Sequence, residues 1–350
     1  MSATGGDRAV GRWIAGWSVM LLVTVMIGGI TRLTNSGLSI TEWKPITGVV
    51  PPIGAEAWET EFAKYRRIPE YTAEHSTMDL AGFKRIYLWE YFHRVWARVV
   101  GIGLLVPMVV FWRRGALDPP LKRRALLLVL LVAFQAALGW FMVSSGLTVR
   151  TDVSHYRLAA HLGVALAIVG LTVAPAARLL GWMPDQPDRG VSRPIAVSWL
   201  ALVTVTIVAG ALVAGLDAGK MYNEFPLMGG RWIPAGYGRL TPWWANPLDN
   251  EIAVQFNHRL LAVLTVVTGG WLGVVVARRG DRIGRWLGWL IAGGVGLQLA
   301  LGITTLVLSV PIPLAVAHQG LAVAVFALGV ILACREHGPG YRFVRGGHQA

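Results

Sequence analysis

Eight apolar stretches of about 20 residues each leave this chain of 350 residues few ways to fold. Such a stretch matches the hydrocarbon core of a bilayer, in which a helix satisfies its own backbone hydrogen bonds. Charged residues make up only 15% of the chain, fewer than in soluble domains. We therefore predict an all-α integral membrane protein with eight transmembrane helices. The stretches are Trp13–Leu33, Phe92–Trp112, Ala125–Ser145, Ala159–Leu180, Ile195–Leu216, Phe256–Ala277, Leu287–Leu308 and Leu314–Cys334.

The net charge of +13 predicts membrane orientation and does not indicate a nucleic-acid partner. Lys and Arg cluster in the even-numbered connections, at residues 113–124, 178–193 and 278–285, and near both ends of the chain. Because cytoplasmic loops carry such an excess, both termini are predicted to be cytoplasmic. The first stretch lacks a convincing cleavage site, which favours a retained helix in a bacterial inner membrane.

Four histidines, His93, His161, His258 and His318, lie in four of these stretches. Each is near the outer beginning of a stretch that runs from outside to inside, so all four are expected at one depth. Ionisable side chains within a membrane span are costly and indicate function. Two imidazoles on neighbouring helices at one depth are suited to axial ligation of haem iron. No CxxCH motif is present, so any haem would be held noncovalently.

An internal repeat divides these histidines into two pairs. Residues 90–94 read Glu-Tyr-Phe-His-Arg and residues 255–259 read Gln-Phe-Asn-His-Arg, while 135–139 and 298–302 share Gln-x-Ala-Leu-Gly. Val23–Val25 also matches Val203–Val205. The repeat predicts two tandem, pseudo-symmetric four-helix bundles, residues 1–182 with a long outer loop and residues 183–350, each able to hold one haem.

The two halves differ at one chemically important position. Glu90 lies three residues before His93 and on the same helical face, whereas its counterpart is Gln255. Only the carboxylate can act as a base or stabilise a cation, so the first half is predicted to be catalytic and the second to transfer electrons. Arg94 and Arg259 are candidate partners for haem propionates, with interfacial anchoring as the alternative.

Four other histidines have no counterpart in the repeat. His75 and His155 are placed in outer loops, and His337 and His348 in the tail, so solvated structural roles are predicted for all four.

The chain resembles the haem A synthases over nearly its whole length, and in particular their alphaproteobacterial and mitochondrial branch. The motifs that carry the resemblance are Gly28–Thr34, Ser36–Ser39, Glu42–Pro45, Pro69–Tyr71, Trp89–Arg94, Asn223–Pro226 and Phe256–Arg259. The resemblance implies oxidation of the C8 methyl group of haem O to a formyl group, through a hydroxylated intermediate, haem I, to give haem A.

The resemblance also implies a role for each histidine. His93 and His161 would be axial ligands of the substrate haem O, and His258 and His318 would be axial ligands of a haem b cofactor. Glu90 matches the functional glutamate of the family. The implied partners are haem O synthase (protohaem farnesyltransferase), cytochrome oxidase assembly factors, an unidentified electron-transfer partner and the lipid bilayer. Homo-oligomerisation is left open.

Two alternatives from other classes fit the same residues. A bis-histidine membrane cytochrome of the b type that exchanges electrons with quinone would also need two histidine pairs, with Glu90 as a proton relay. A non-catalytic haem carrier or assembly protein would use the long outer loops, residues 35–91 and 217–255, as docking surfaces.

Overall fold

The computed structural model describes residues 5–45, 47–148, 150–183 and 191–335 and is helical throughout, apart from turns and connections. Within this described part, eight helices are long and apolar enough to cross a membrane, which confirms the eight predicted spans. His337 and His348 lie outside the described residues. The helices are α1 (Gly5–Leu33), α2 (Ala55–Tyr65), α3 (Pro69–Glu74), α4 (Leu80–Arg113), α5 (Pro119–Val143), α6 (His155–Leu179), α7 (Arg193–Gly215), α8 (Asn246–Asp249), α9 (Glu251–Arg279), α10 (Arg282–Val307) and α11 (Ile312–Arg335).

Aspartate caps fix the beginning of three spanning helices. The Asp79 carboxylate accepts a hydrogen bond from the Gly82 N–H at 2.8 Å at the start of α4. Asp118 and Asp281 cap α5 and α10 in the same way. Helix α4 therefore begins well before the predicted start at Phe92. Its first turns pack on other residues of the protein instead of lipid, so the hydropathy of the sequence does not reveal these turns.

The spanning helices pack as two sets of four around a shared core. Helices α1, α4, α5 and α6 follow one another around the first set, and α7, α9, α10 and α11 around the second. Between the sets, α1 packs on α11, and α6 packs on both α7 and α11. The largest buried cluster lies at this junction and includes Leu166, Trp199, Ile291 and Phe326. The two halves are therefore joined by a hydrophobic core.

Equivalent hydrogen bonds recur in the two sets. The buried Trp17 indole donates to the Val100 carbonyl at 2.8 Å, and the Trp199 indole donates to the Thr265 carbonyl at 3.2 Å. A buried indole N–H needs such an acceptor. In the sequence, the separation between Val100 of the first half and Thr265 of the second equals the separation between His93 and His258. The offset between Trp17 and Trp199, however, is two residues larger than the offset between Val23–Val25 and Val203–Val205.

The end of the bundle where α1 and α7 finish and α4 and α9 begin, which we call the outer end after the predicted orientation, carries a small folded unit of its own. Helices α2 and α3 lie in the connection between α1 and α4 and cover a buried aromatic cluster of Phe62, Tyr65, Phe83 and Tyr87. The Phe62 and Phe83 rings stack at 4.9 Å. The connection predicted as a long loop is therefore partly helical and has its own core.

Polar contacts of Asp217 and Asp249 join the halves at this outer end. Arg32 Nη2 lies 2.7 Å from Asp217 Oδ2, and His155 Nε2 lies 3.0 Å from Asp249 Oδ1. Tyr156 also donates to Asp249, at 2.6 Å. The prediction that His155 is a solvated loop residue is wrong, because it is the first residue of α6 and only 5% exposed. His75 is half-buried, with its Nδ1 2.6 Å from the Tyr65 hydroxyl.

Candidate functional site

The four histidines predicted as ligands lie in two groups in the outer parts of α4, α6, α9 and α11. The imidazole of His93 is close enough to that of His161 for the two to interact electrostatically, and the same holds for His258 and His318. The structure therefore brings the histidines together in the two pairs that the repeat predicts.

Each histidine packs against a glycine of the preceding spanning helix. A β-carbon added at Gly28 would lie 3.4 Å from His93 Cε1, and one added at Gly139 would lie 3.1 Å from His161 Cε1. In the second half the corresponding distances are 3.0 Å from Gly210 to His258 and 2.9 Å from Gly302 to His318. Protein interiors are close-packed, so a larger residue at these positions would displace the rings. We call this arrangement the glycine cradle.

One helical turn before each glycine stands a residue with a polar side chain: Thr24, Gln135, Thr206 or Gln298. The Gln135 amide donates to the backbone carbonyl of His161 at 2.9 Å, and the Gln298 amide donates to that of His318 at 3.0 Å. In the second half, His258 Nδ1 donates to the Thr206 carbonyl at 3.1 Å. For His161, His258 and His318, the preceding helix thus contacts the histidine both by a polar group and by a glycine.

These features fit axial ligation of haem iron by pairs of imidazoles. The bond from His258 Nδ1 to a carbonyl fixes the proton on Nδ1 and leaves the lone pair of Nε2 available to a metal. Nδ1 of His161 and Nδ1 of His318 are buried without a hydrogen-bond partner. Because unpaired buried polar atoms are costly, such atoms are typical of ligand sites.

Glu90 is only 3% exposed, and both of its oxygens accept hydrogen bonds. Oε1 accepts from Arg94 Nη2 at 2.6 Å and from Arg94 Nε at 3.0 Å. Oε2 accepts from the Ser39 hydroxyl and from the Ile40 N–H, each at 2.7 Å. All four donors suit an ionised carboxylate, which is acceptor-only. Glu90 is thus held as a paired anion that fixes the first outer connection.

Arg94 and Arg259 bind the outer connections at equivalent places. Arg94 Nη1 donates to the Glu42 carbonyl at 3.0 Å, and Arg259 Nη2 donates to the Tyr222 carbonyl at 2.7 Å. Gln255, the counterpart of Glu90, donates to the same Tyr222 carbonyl at 3.1 Å and does not bond Arg259. Gln255 Oε1 and Arg259 Nε remain buried without partners. The ion pair thus exists only in the first half.

A cavity of about 400 Å³ opens beside the Glu90–Arg94 pair at the outer end. Its lining includes Ile40 and Arg94, together with Lys44, Glu61 and Tyr91. Arg94 and Ile40 each donate a hydrogen bond to Glu90 and also line this cavity, so one layer of residues separates the cavity from the buried carboxylate.

A second buried carboxyl group lies in the outer unit. Glu70 is 4% exposed and accepts a hydrogen bond from the Tyr65 hydroxyl at 2.9 Å. Burial raises the pKa of Glu70 to about 8. Burial also raises the pKa of Tyr65 and lowers that of His75. Neutral forms of all three groups are consistent with a chain of hydrogen bonds from His75 Nδ1 to Tyr65 and on to Glu70.

Sequence reasoning found the histidines, Glu90 and the arginines but missed the glycines that face the histidines. The signal was present, since Gln-x-x-x-Gly occurs at Gln135 and Gln298 and Thr-x-x-x-Gly at Thr24 and Thr206. Glycine is common in transmembrane helices, however, so the pattern acquires meaning only when the facing helix is known.

The fold and the site define a multi-pass membrane protein with two paired histidine sites. Residues 11–330 match the family model COX15-CtaA, described as cytochrome oxidase assembly protein, so the chain belongs to this family. A haem A synthase of Rhodospirillum centenum is 47% identical over 340 residues, covering 93% of this chain and 88% of the relative. A haem A synthase of Rhodopseudomonas palustris is 43% identical (93% and 90% covered), and one of Nitrosomonas eutropha is 40% identical (95% and 95%).

Proposed function

We propose that this protein is a haem A synthase of the bacterial inner membrane, an oxidoreductase that converts the C8 methyl group of haem O to the formyl group of haem A for cytochrome oxidase. Family membership and the relatives support this proposal. The observation that carries it is the asymmetry between two otherwise equivalent histidine sites: only one has a buried carboxylate three residues before its first histidine.

We assign His93 and His161 to the substrate haem O and His258 and His318 to a haem b cofactor. The glycine cradle supports four ligating histidines, and Glu90 marks the half in which chemistry occurs. When bound, haem b supplies a one-electron redox centre next to the substrate site. The role of the chain is to present one imidazole nitrogen of each histidine to iron and to fix the rings by packing and by backbone hydrogen bonds.

Glu90 is proposed to act through its negative charge. Four hydrogen-bond donors, two of them on a guanidinium, already occupy both oxygens of Glu90, which favours a role through its charge over the alternative role as a general base. A fixed anion in a site of low dielectric stabilises positive charge that develops nearby. The neutral Gln255 cannot do so in the second half.

The proposed architecture is two tandem pseudo-symmetric bundles, residues 1–182 and 183–350, with both termini cytoplasmic. The recurring indole bonds of Trp17 and Trp199 and the repeated glycine cradle support the pseudo-symmetry. The positions of the Lys and Arg clusters support the orientation. The outer end would then face the periplasm.

Arg259 is the better supported of the two candidate propionate partners. Its Nε is buried without a partner, and a carboxylate is the group that a guanidinium binds best. Every nitrogen of Arg94 already donates to Glu90 or to a carbonyl of the first outer connection. Haem O synthase, oxidase assembly factors and an electron-transfer protein remain the proposed partners.

The test is to express the chain with a source of haem O and to separate the extracted haems by chromatography and mass. Haem A is expected from the wild type, none from His93→Ala or His161→Ala, and at most a few per cent from Glu90→Gln. Gln255→Glu, the reciprocal change, should leave the product unchanged. Haem O that stays unconverted in folded protein with bound haem b would refute the proposal.

Two results would favour the alternatives. Extraction of haem b alone, together with quinone reduction, would indicate a bis-histidine cytochrome. Stoichiometric binding of haem O without a formyl product would indicate a carrier.

A further inference from the structure

Helix α5 is the least buried of the eight spanning helices in the described chain. Only Ala125 and Leu128 are buried in it, and both lie in the half near its start. Helix α10 holds the corresponding place in the second half and has buried residues near its start and also near its end, among them Leu287, Ile291 and Thr305. In the outer half of α5, residues 129–143, side chains such as Val129, Val132 and Met142 are only partly buried.

The difference in burial between α5 and α10 follows from the residues through which each helix faces the helix before it. A β-carbon added at Gly273 of α9 would lie 2.6 Å from the Gly288 carbonyl oxygen of α10, so the two backbones are in contact. No glycine of α4 meets α5: Gly101 faces open space, and Gly103 lies against Met20 and Trp17 of α1. Leu104 of α4 instead shares a buried cluster with Leu128, which lies in the half of α5 near its start.

The loosely packed part of α5 is also the part that contacts a histidine. Gln135 and Gly139 lie in it, and both meet His161. Large apolar side chains on the same half, Leu130 and Phe134, are exposed and would face lipid. At the outer end, Trp43 of the first connection stacks on Trp140 of α5 at 5.9 Å. This half of α5 thus has both residues that contact His161 and side chains that would face lipid.

We propose that this face, between the outer halves of α4 and α5, is the lateral opening through which the prenyl chain of the substrate enters from the bilayer and through which the product leaves. The proposal rests on the proposed function, since it assigns a route to haem O. A farnesyl chain is wholly apolar, and moving it through water costs about 0.8 kcal/mol for each CH₂ group, so it stays in the bilayer during transfer. A substrate that exchanges needs an opening, whereas a resident cofactor is retained by a closed bundle such as α9–α10.

A photoreactive prenyl probe tests the route directly. The full chain containing haem b, in lipid nanodiscs, is irradiated with a farnesol that carries a diazirine, and the adducts are mapped by mass spectrometry. Adducts on residues 96–104 and 129–143 are expected to fall at least fivefold in the presence of haem O and to stay unchanged with added haem b. Adducts on α9 and α10 should respond to neither. Equal protection of α9 and α10, or no protection of α5 by haem O, would overturn the proposal.

A pair of variants on α5 provides a second test. Val132 of α5 is partly buried against a cluster formed by residues of α1, α4, α5 and α6, whereas Val295 at the corresponding place on α10 is 2% exposed. Val132→Trp should narrow the opening, lowering kcat/KM for haem O at least tenfold while the haem b content and its absorbance spectrum stay unchanged. The control, Phe134→Trp, changes an exposed lipid-facing residue of the same helix and should alter kcat/KM less than twofold.

The proposed function and the lateral opening can be refuted by different results. If haem O produces no absorbance change on titration and is not converted, the proposed function fails. If haem O is bound and converted but Val132→Trp reacts like the wild type, only the lateral opening is refuted.

Discussion

Arg32 and Asp217 form an ion pair of 2.7 Å that joins the last turn of α1 to the residues that follow α7. Asp217 has a left-handed backbone (φ 49°), as does Asn35, whose side chain Arg32 also contacts. One guanidinium therefore lies between the carboxyl ends of two helices from different halves, where a cation is favoured by both helix dipoles. Although burial opposes the effect, Arg32 and Lys220 lower the pKa of Asp217.

Removal of this cation is expected to loosen the junction of the halves. Arg32→Met should lower the free energy of unfolding by about 1–2 kcal/mol, because Asp217 keeps its charge and loses its closest partner. Thermal unfolding in detergent measures the change. Lys220→Met removes the more exposed partner of the same carboxylate and should cost less than half as much. Equal losses in the two variants would contradict a special role for Arg32.

The glycine cradle predicts a sharp dependence of haem binding on one methyl group. Gly302→Ala places a β-carbon 2.9 Å from His318 Cε1, so the ring must move and haem b occupancy should fall at least fivefold. A pyridine haemochrome assay measures haem per protein. Gly296→Ala, on the same helix with nothing within 4 Å of the added atom, should bind haem normally. Unchanged occupancy in Gly302→Ala would mean that the ring does not need this space.

The Glu70 carboxyl group predicts a pH dependence of the outer unit. Its pKa of about 8 in the folded chain is above the ordinary value of 4.5, so the folded form binds the proton more tightly. The resulting stabilisation is complete below pH 4.5 and is lost as the pH rises to 8, with a slope of up to about 1.4 kcal/mol per pH unit. Hydrogen exchange of residues 55–74 should accelerate accordingly.

Glu70→Gln is the matched variant for this pH dependence. The neutral amide has nearly the same shape and does not titrate. After correction for the intrinsic exchange rate, hydrogen exchange in α2 and α3 of this variant should therefore no longer vary with pH between pH 5 and 8. Persistence of the wild-type profile in Glu70→Gln would assign it to another group.

The contact between His155 and Asp249 predicts a coupling between the start of α6 and the start of α9. Asp249 lies next to Asn250, whose side chain accepts a hydrogen bond from the Ile252 N–H at the start of α9, the helix that carries His258. His155→Phe should therefore loosen the first turn of α9, which hydrogen exchange would detect. A double-mutant cycle with Asp249→Asn should give a coupling of about 1–2 kcal/mol. Additive effects of the two substitutions would indicate that the contact between His155 and Asp249 contributes no interaction free energy.

The sequence predicted the spans and the histidines because both depend on local signals. Hydrophobic length marks a spanning helix without knowledge of its neighbours, and His93, His161, His258 and His318 stand out against apolar surroundings. The internal repeat predicted which histidines form pairs, and the structure places the members of each pair close together. These features require no information about which helices touch.

The features that the sequence did not predict all depend on partners distant in the chain. Asp249 lies 94 residues from His155, so the burial of His155 was not foreseeable. The indole bonds of Trp17 and Trp199 suggest an alignment of α1 with α7 that differs by two residues from the sequence match of Val23–Val25 to Val203–Val205, because a match of three residues does not include the helices that they contact. Helices α2 and α3 were missed because their aromatic core forms only with the start of α4.

The glycine cradle means that the ability to hold a ring is shared by two helices, one that supplies the imidazole and one that leaves room for it. A histidine transplanted alone into an ordinary apolar bundle would find its place already filled by the neighbouring side chain. Anyone who moves such a site into a new scaffold has to graft the Gln-x-x-x-Gly or Thr-x-x-x-Gly helix together with the histidine helix, as one unit.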